Sequence, residues 1–193
     1  MLIHDITKHL NTIKQLSEDK DSNIAQYISE IVNDFNIMNP IDYCNNPTVN
    51  LITHRHYEIC KKNNINFTIS IKNANIDFIK EHDITALLDN LLENAVESAL
   101  MTNEKFIDFS ISTRNSNFVI IKISNSCNKK PKYIDGTLVS SKSTSGMHGI
   151  GTRSIKRVVE KYNGNLEMKF DNDTKTFTSV IGINSNLPSN NQS

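Results

Sequence analysis

Asn90-Leu91-Leu92-Glu93-Asn94-Ala95-Val96-Glu97 is the stretch on which the reading of this chain turns. Asn90, Glu93, Asn94 and Glu97 fall at i, i+3, i+4 and i+7, so they share one helix face. Leu87, Leu88, Leu91, Leu92, Val96 and Leu100 fill much of the remainder, which marks the segment as a helix packed on a core. For such a helix alone, the default is a polar stripe in solvent. A polar stripe turned inward needs partners, because an unpaired buried amide or carboxylate costs about 1–3 kcal/mol.

A second stretch overturns that default. His148-Gly149-Ile150-Gly151 ends a long polar segment, 126–149, and opens a helix whose Ile155, Val158, Val159 and Tyr162 form an apolar stripe. Two residues without a Cβ let backbone N–H groups approach an anion closely, and the following helix points its positive end at the same place. A lone Gly-x-Gly usually marks only a turn. Beside a helix that carries two amides, it predicts a site for a nucleoside triphosphate and its magnesium. Magnesium takes oxygen ligands and keeps several waters, so a single amide oxygen suffices from the protein.

The bulk composition narrows the alternatives. The 193 residues include 21 basic and 21 acidic side chains, for a formal net charge of zero. With no Lys/Arg-rich run, there is no electrostatic footprint for nucleic acid. Cys44, Cys60 and Cys127 are widely spaced and lack a CxxC pattern, which argues against a disulfide framework or zinc site and fits a reducing cytoplasm. No apolar run reaches membrane-span length, and Met1-Leu2-Ile3-His4-Asp5 is not a signal peptide.

Along the chain, Ile3, Ile6, Leu10 and Ile13, then Ile24, Ile28, Ile31 and Phe35, make two amphipathic stripes separated by a polar break. Residues 1–38 therefore read as a helical hairpin, and burying both stripes is most economical in a dimeric four-helix bundle. A hairpin packed on the rest of its own chain is the alternative. Residues 39–46 read as a linker. Residues 47–185 alternate helices with strands and predict a two-layer α/β sandwich, so the whole chain is α+β. In this part, helices are expected from Pro47 to about Cys60, from an Asp83 or Thr85 cap to about Leu100, and from about Thr152 to a stop at Asn163-Gly164. Strands are expected at 65–71, 106–113, 118–124, 166–170 and 176–183. Residues 186–193 read as a disordered tail, and His54, His56 and His82, which have no metal-ligand spacing, as surface or linker residues.

Residues 83–183 resemble the ATP-binding domain of the Bergerat-fold (GHKL) superfamily, shared by DNA gyrase, heat-shock chaperones and sensor histidine kinases. Within it they look most like the kinases of the peptide-pheromone (accessory gene regulator) branch. That branch's asparagine box runs like Leu88-Asp89-Asn90-Leu91-Leu92-Glu93-Asn94-Ala95-Val96-Glu97-Ser98-Ala99. Its glycine box ends in a string like Val158-Val159-Glu160-Lys161-Tyr162-Asn163-Gly164. The likeness extends upstream through Cys44-Asn45-Asn46-Pro47-Thr48-Val49-Asn50-Leu51 and Lys61-Lys62-Asn63-Asn64-Ile65.

The resemblance implies a two-component sensor kinase core with ATP and Mg2+ as cofactors. Asn94 would coordinate the magnesium and Asn90 would contact phosphate or metal. His148, Gly149 and Gly151 would cradle phosphates, and Lys142, Ser143 and Thr144 would reach them from a lid. Asn90 stands where ATP-hydrolysing relatives carry a glutamate base. An amide cannot take a proton from water, so transfer to a protein acceptor is favoured over hydrolysis. Asn125 stands where most relatives have the aspartate that accepts the adenine amino group, which implies weaker ATP binding and relaxed base selection. Thr152 replaces a common leucine and is expected, at most, to cap its helix.

His4, in His4-Asp5-Ile6-Thr7-Lys8-His9-Leu10, would be the phosphoacceptor. Asp5 would hydrogen-bond one ring nitrogen and leave the other as nucleophile. Lys8 replaces an asparagine that the family uses in dephosphorylation. Implied partners are a response regulator protein and a second copy in a homodimer, without nucleic acid. A membrane would enter only through an N-terminal sensor region absent from this chain, leaving this portion cytoplasmic. A phosphorelay phosphotransferase or binding module with a degenerate ATPase domain is the alternative.

Overall fold

Asn46 starts a helix by accepting the Val49 amide at 3.0 Å, and Pro47 occupies the first helical position, where its missing N–H costs nothing. In the computed structural model this helix, α1, spans Pro47–Lys62, and Lys61 and Lys62 complement its negative end. The structure describes residue 12 and residues 43–72, 74–115, 117–130, 133–134, 137–138 and 150–186. The chain divides into two units, Met1–Pro40 and Ile41–Ser193. Apart from Thr12 the described residues belong to the second unit. Of the hairpin expected over 1–38 only Thr12 is described, and of the tail expected over 186–193 only Asn186; the rest of both lies outside the described residues. Just before α1, Asn50 accepts the amides of Tyr43 and Cys44 at 3.0 Å, and Asn46 Nδ2 donates to Asp77 at 2.8 Å.

Strand β1 (Asn66–Lys72) is followed by α2 (Glu81–Leu100), β2 (Phe106–Arg114) and β3 (Phe118–Ser126). Next come two short paired strands, β4 (Tyr133–Ile134) and β5 (Thr137–Leu138), then α3 (Ile150–Lys161), β6 (Asn165–Asp171) and β7 (Thr176–Asn184). The main sheet has the order β1-β2-β3-β7-β6. β1 and β2 run parallel, which requires a crossover, and α2 supplies it; every other pairing is antiparallel.

One face of the sheet is apolar by alternation. Ile107, Phe109 and Ile111 of β2 and Val119, Ile121 and Ile123 of β3 are buried, as are Ile181 and Ile183 of β7. α2 lies across β2 and β3 and buries Leu87, Leu88, Leu91 and Leu92 there, each contributing about 1.5–3 kcal/mol. α1 packs along α2 and over β1, while α3 packs along the other side of α2 and over β6. Three helices on one side of the sheet make the expected two-layer sandwich.

Two local expectations are corrected. α2 starts at Glu81 with Lys80 at the cap position and no side-chain cap, so neither Asp83 nor Thr85 caps it. Thr85 instead donates back to the Glu81 carbonyl at 2.9 Å, and the Asp83 carboxylate is engaged by α3. α3 already includes Ile150 and Gly151, so Thr152 is a buried first-turn residue rather than a cap. At the stop after α3, Asn163 takes the left-handed conformation at φ 51°. Gly164 is needed for space: a Cβ there would lie 2.9 Å from Ile183 Cγ1 and 3.0 Å from the Gly182 carbonyl oxygen.

Candidate functional site

Asn90 and Gly151, which the sequence keeps about sixty residues apart, meet between α2 and α3. A Cβ on Gly151 would lie 2.7 Å from Asn90 Oδ1, so glycine is what allows the first turn of α3 to seat on that amide. Asn90 is itself oriented, since its Nδ2 donates to the Ala86 carbonyl one turn earlier at 2.5 Å. The expected polar face divides in use. Asn90, Asn94 and Glu97 are half-buried, whereas Glu93 is exposed.

Beside this contact, a cleft opens between α2 and the sheet, lined by Asn94 and Asn125 with Ser98 and Ser179 and by the apolar Leu91, Ile123, Met168 and Phe177. Asn125 continues the inward series of Val119, Ile121 and Ile123, so a polar side chain stands where the alternation calls for an apolar one. Its Nδ2 donates to the Ser126 carbonyl at 2.9 Å, which leaves Oδ1 as the acceptor. Ser98 donates to the same carbonyl at 3.1 Å and ties α2 to the end of β3. Flat apolar walls with neutral donors and acceptors at the edge suit a nucleobase. The Gly151 cradle and the amides of Asn90 and Asn94 suit phosphates carrying a hard cation, which the phosphates rather than protein carboxylates would mainly hold. His4, Asp5, Lys142, His148 and Gly149 lie outside the described residues.

Two ionic clusters hold the helices that frame the cleft. Asp83 accepts from the Tyr162 hydroxyl at 2.7 Å and from Lys161 Nζ at 2.6 Å, while His82 lies 3.3 Å from its other oxygen. Burial pushes the Asp83 carboxyl up, but the bonds from Lys161 and Tyr162 with the neighbouring positive charges outweigh it, so it titrates below its ordinary value. Asp89, next to Asn90, accepts from Arg55 and lies 3.2 Å from His56 Nε2. Here too burial raises the carboxyl and the His56 and Arg55 bonds more than offset it.

The surface assignment therefore holds for His82 and fails for His54 and His56, which are buried, with both ring nitrogens of His54 and Nδ1 of His56 lacking hydrogen-bond partners among the described residues. His56 is drawn inward by Asp89, 33 residues away. No spacing rule signals such a pair. For His54, stacked on Tyr57 at 6.4 Å, no physical reason for its burial is evident among the described residues.

Residues 79–183, more than half of the chain, match the family described as GHKL domain, and the chain belongs to that family. A curated relative, the probable C4-dicarboxylate sensor kinase of Bacillus subtilis (strain 168), is 29% identical over 112 residues; the match covers 54% of this chain and 20% of that protein. The chain thus spans about a fifth of that relative's length. Among solved structures, the catalytic domain of histidine kinase ThkA superposes with a TM-score of 0.54 at 18% identity, covering 77% of this chain and 97% of that one. The histidine kinase domain of the Erythrobacter litoralis blue-light activated histidine kinase gives 0.54 at 12% identity, covering 95% and 84%. The Acinetobacter baumannii histidine kinase AdeS gives 0.51 at 11% identity, covering 95% and 98%. The described domain has the α+β fold of histidine kinase ATPase domains. No described helix is long and apolar enough to cross a membrane.

Proposed function

We propose that this chain is the core of a sensor histidine kinase of the peptide-pheromone type, which binds Mg-ATP, phosphorylates its own His4 and passes the phosphoryl group to an aspartate of a response regulator. The observation that carries the reading is the seating of Gly151 on Asn90 beside a cleft that Asn94 and Asn125 share. It supports a nucleotide with its base in the cleft and its phosphates toward α3. Magnesium, held there with help from the Asn94 oxygen, would neutralise charge on the phosphates.

In this reading, Asn90 orients phosphate without activating water, so the γ-phosphoryl awaits a protein nucleophile. His4 supplies it through one imidazole nitrogen, and Asp5 holds the other. The new bond joins that nitrogen to the γ-phosphorus as the β–γ bridging bond breaks and ADP leaves. Residues 1–38 would form the hairpin that pairs with a second copy, and His148, Gly149 and Lys142 would complete the phosphate site. Any membrane attachment would come from a region outside this chain.

The test is incubation of the full chain with γ-labelled ATP and magnesium. The reading expects a label stable to base and released by acid, which His4→Gln abolishes while Mg-ADP binding persists. Label surviving that change refutes the assignment.

Asn125 supports a second reading, a phosphotransferase or binding module whose ATPase domain has decayed. A hydrogen bond to a neutral acceptor is worth about 1 kcal/mol less than one to a charged acceptor, or roughly five-fold in affinity. Asn125→Asp should recover that factor for ADP in a kinase. In a decayed domain neither form binds at millimolar nucleotide.

A further inference from the structure

Tyr162 does more than fill the core. It is 4% exposed, its hydroxyl accepts the Lys80 amide at 2.9 Å and donates to Asp83 at 2.7 Å, and Phe78 packs edge-on against its ring. Lys161 grips the same Asp83 oxygen. One end of α3 is thereby fastened at three points to the start of α2 and to the loop before it. Gly151 lies near the opposite end, seated on Asn90.

α3 has 12 residues, so it is a rod about 18 Å long. A tilt of about 5° about its fastened end displaces the Gly151 end by about 1.5 Å. That is more than half of the 2.7 Å separating a Cβ position there from Asn90 Oδ1. The clamp and the cradle are therefore mechanically coupled through an element too short to bend much between them. An acidic residue in a helix's first turn ordinarily serves its own helix dipole. Asp83 instead turns its carboxylate onto the neighbouring helix.

The geometry points to Asp83 as a positioning residue for the phosphate end of the nucleotide: by holding Tyr162 and Lys161 it sets where Gly151 meets Asn90. This rests on the nucleotide reading above. Its signature is selective. The described residues lining the base cleft come from α2, β3, β6 and β7, and none of them from α3. Loosening the clamp should therefore weaken ligands that carry phosphates and spare those that carry only the base and sugar.

The experiment compares the full-length chain with its Tyr162→Phe variant, which keeps the ring and removes the hydroxyl. Mg-ADP and adenosine are each titrated while amide resonances are followed. The expected result is a Kd for Mg-ADP raised about five- to ten-fold, with adenosine unchanged within about two-fold. Lys161→Met, which removes the half-exposed partner and leaves the buried pair, should give the same split at smaller size and stands in if Tyr162→Phe does not fold. Equal losses for both ligands would mean a merely structural role and overturn the inference. So would a wild type that binds Mg-ADP beside variants that bind it equally well. A wild type that binds no Mg-ADP overturns the nucleotide reading first, and the inference with it.

Discussion

Replacing Gly151 by alanine sets a helix preference against a contact. Inside a helix, alanine is favoured over glycine by about 0.8–1 kcal/mol. The added Cβ, however, would sit 2.7 Å from Asn90 Oδ1, too close to be kept. Rotating the Asn90 side chain relieves the clash but breaks its 2.5 Å bond to the Ala86 carbonyl, a loss of about 0.5–1.5 kcal/mol. The two effects nearly cancel, so Gly151→Ala alone should change stability by less than about 0.5 kcal/mol. With Asn90→Ala already in place there is nothing to displace, and Gly151→Ala should stabilise by about 1 kcal/mol. Urea unfolding of the four proteins, followed by far-UV circular dichroism, should therefore give a coupling of about 1 kcal/mol between the two positions. Effects that add to within about 0.3 kcal/mol would refute the contact on which the site is built.

Asp83 and Asp89 both titrate below the ordinary carboxylate range because their bonds to Tyr162, Lys161, His56 and Arg55 outweigh the opposing effect of burial. A carboxyl depressed on folding contributes stability that is fully present above its unfolded pKa, about 3.9, and lost as pH falls through the lower folded value. The urea midpoint should hold between about pH 7 and pH 5 and drop below about pH 4, with a shallower drop in Asp83→Asn; an identical acid limb in that variant would contradict the clamp. Gly164→Ala presses a methyl onto Ile183, Val159 and the Gly182 carbonyl, each within 3.0 Å. It should destabilise by about 1–3 kcal/mol in the same assay, and a neutral result would show that the turn after α3 relaxes freely.

What the sequence made legible was local. The inward alternation of Val119, Ile121 and Ile123 and the stripes of α2 and α3 each follow from a short window, and the two-layer sandwich follows from their order. Asn125 was visible only through the resemblance, as the residue standing where most relatives have an aspartate; that it continues the inward series of β3 is seen only in the structure. What escaped was the pairing of distant polar groups. Asp83 stands just before the apolar Ile84 and so looks like a cap. Its true partner, Tyr162, lies 79 residues on, and only the packing of α3 along α2 reveals it. His56 reads as a surface residue for want of any metal spacing, until the half-buried Asp89 on the adjoining helix supplies a partner. Residues whose roles depend on tertiary neighbours leave little mark on periodicity, and both ionic clusters belong to that class.

The central claim is that a magnesium-bound adenine nucleotide occupies the cleft between α2 and the sheet. Calorimetric titration of the full-length chain with ADP, with and without magnesium, in wild type and Asn94→Ala, tests it most directly. The account expects saturable, magnesium-dependent binding that weakens at least about ten-fold when the Asn94 oxygen is removed. Binding indifferent both to magnesium and to Asn94, or no heat at millimolar ADP, would contradict it.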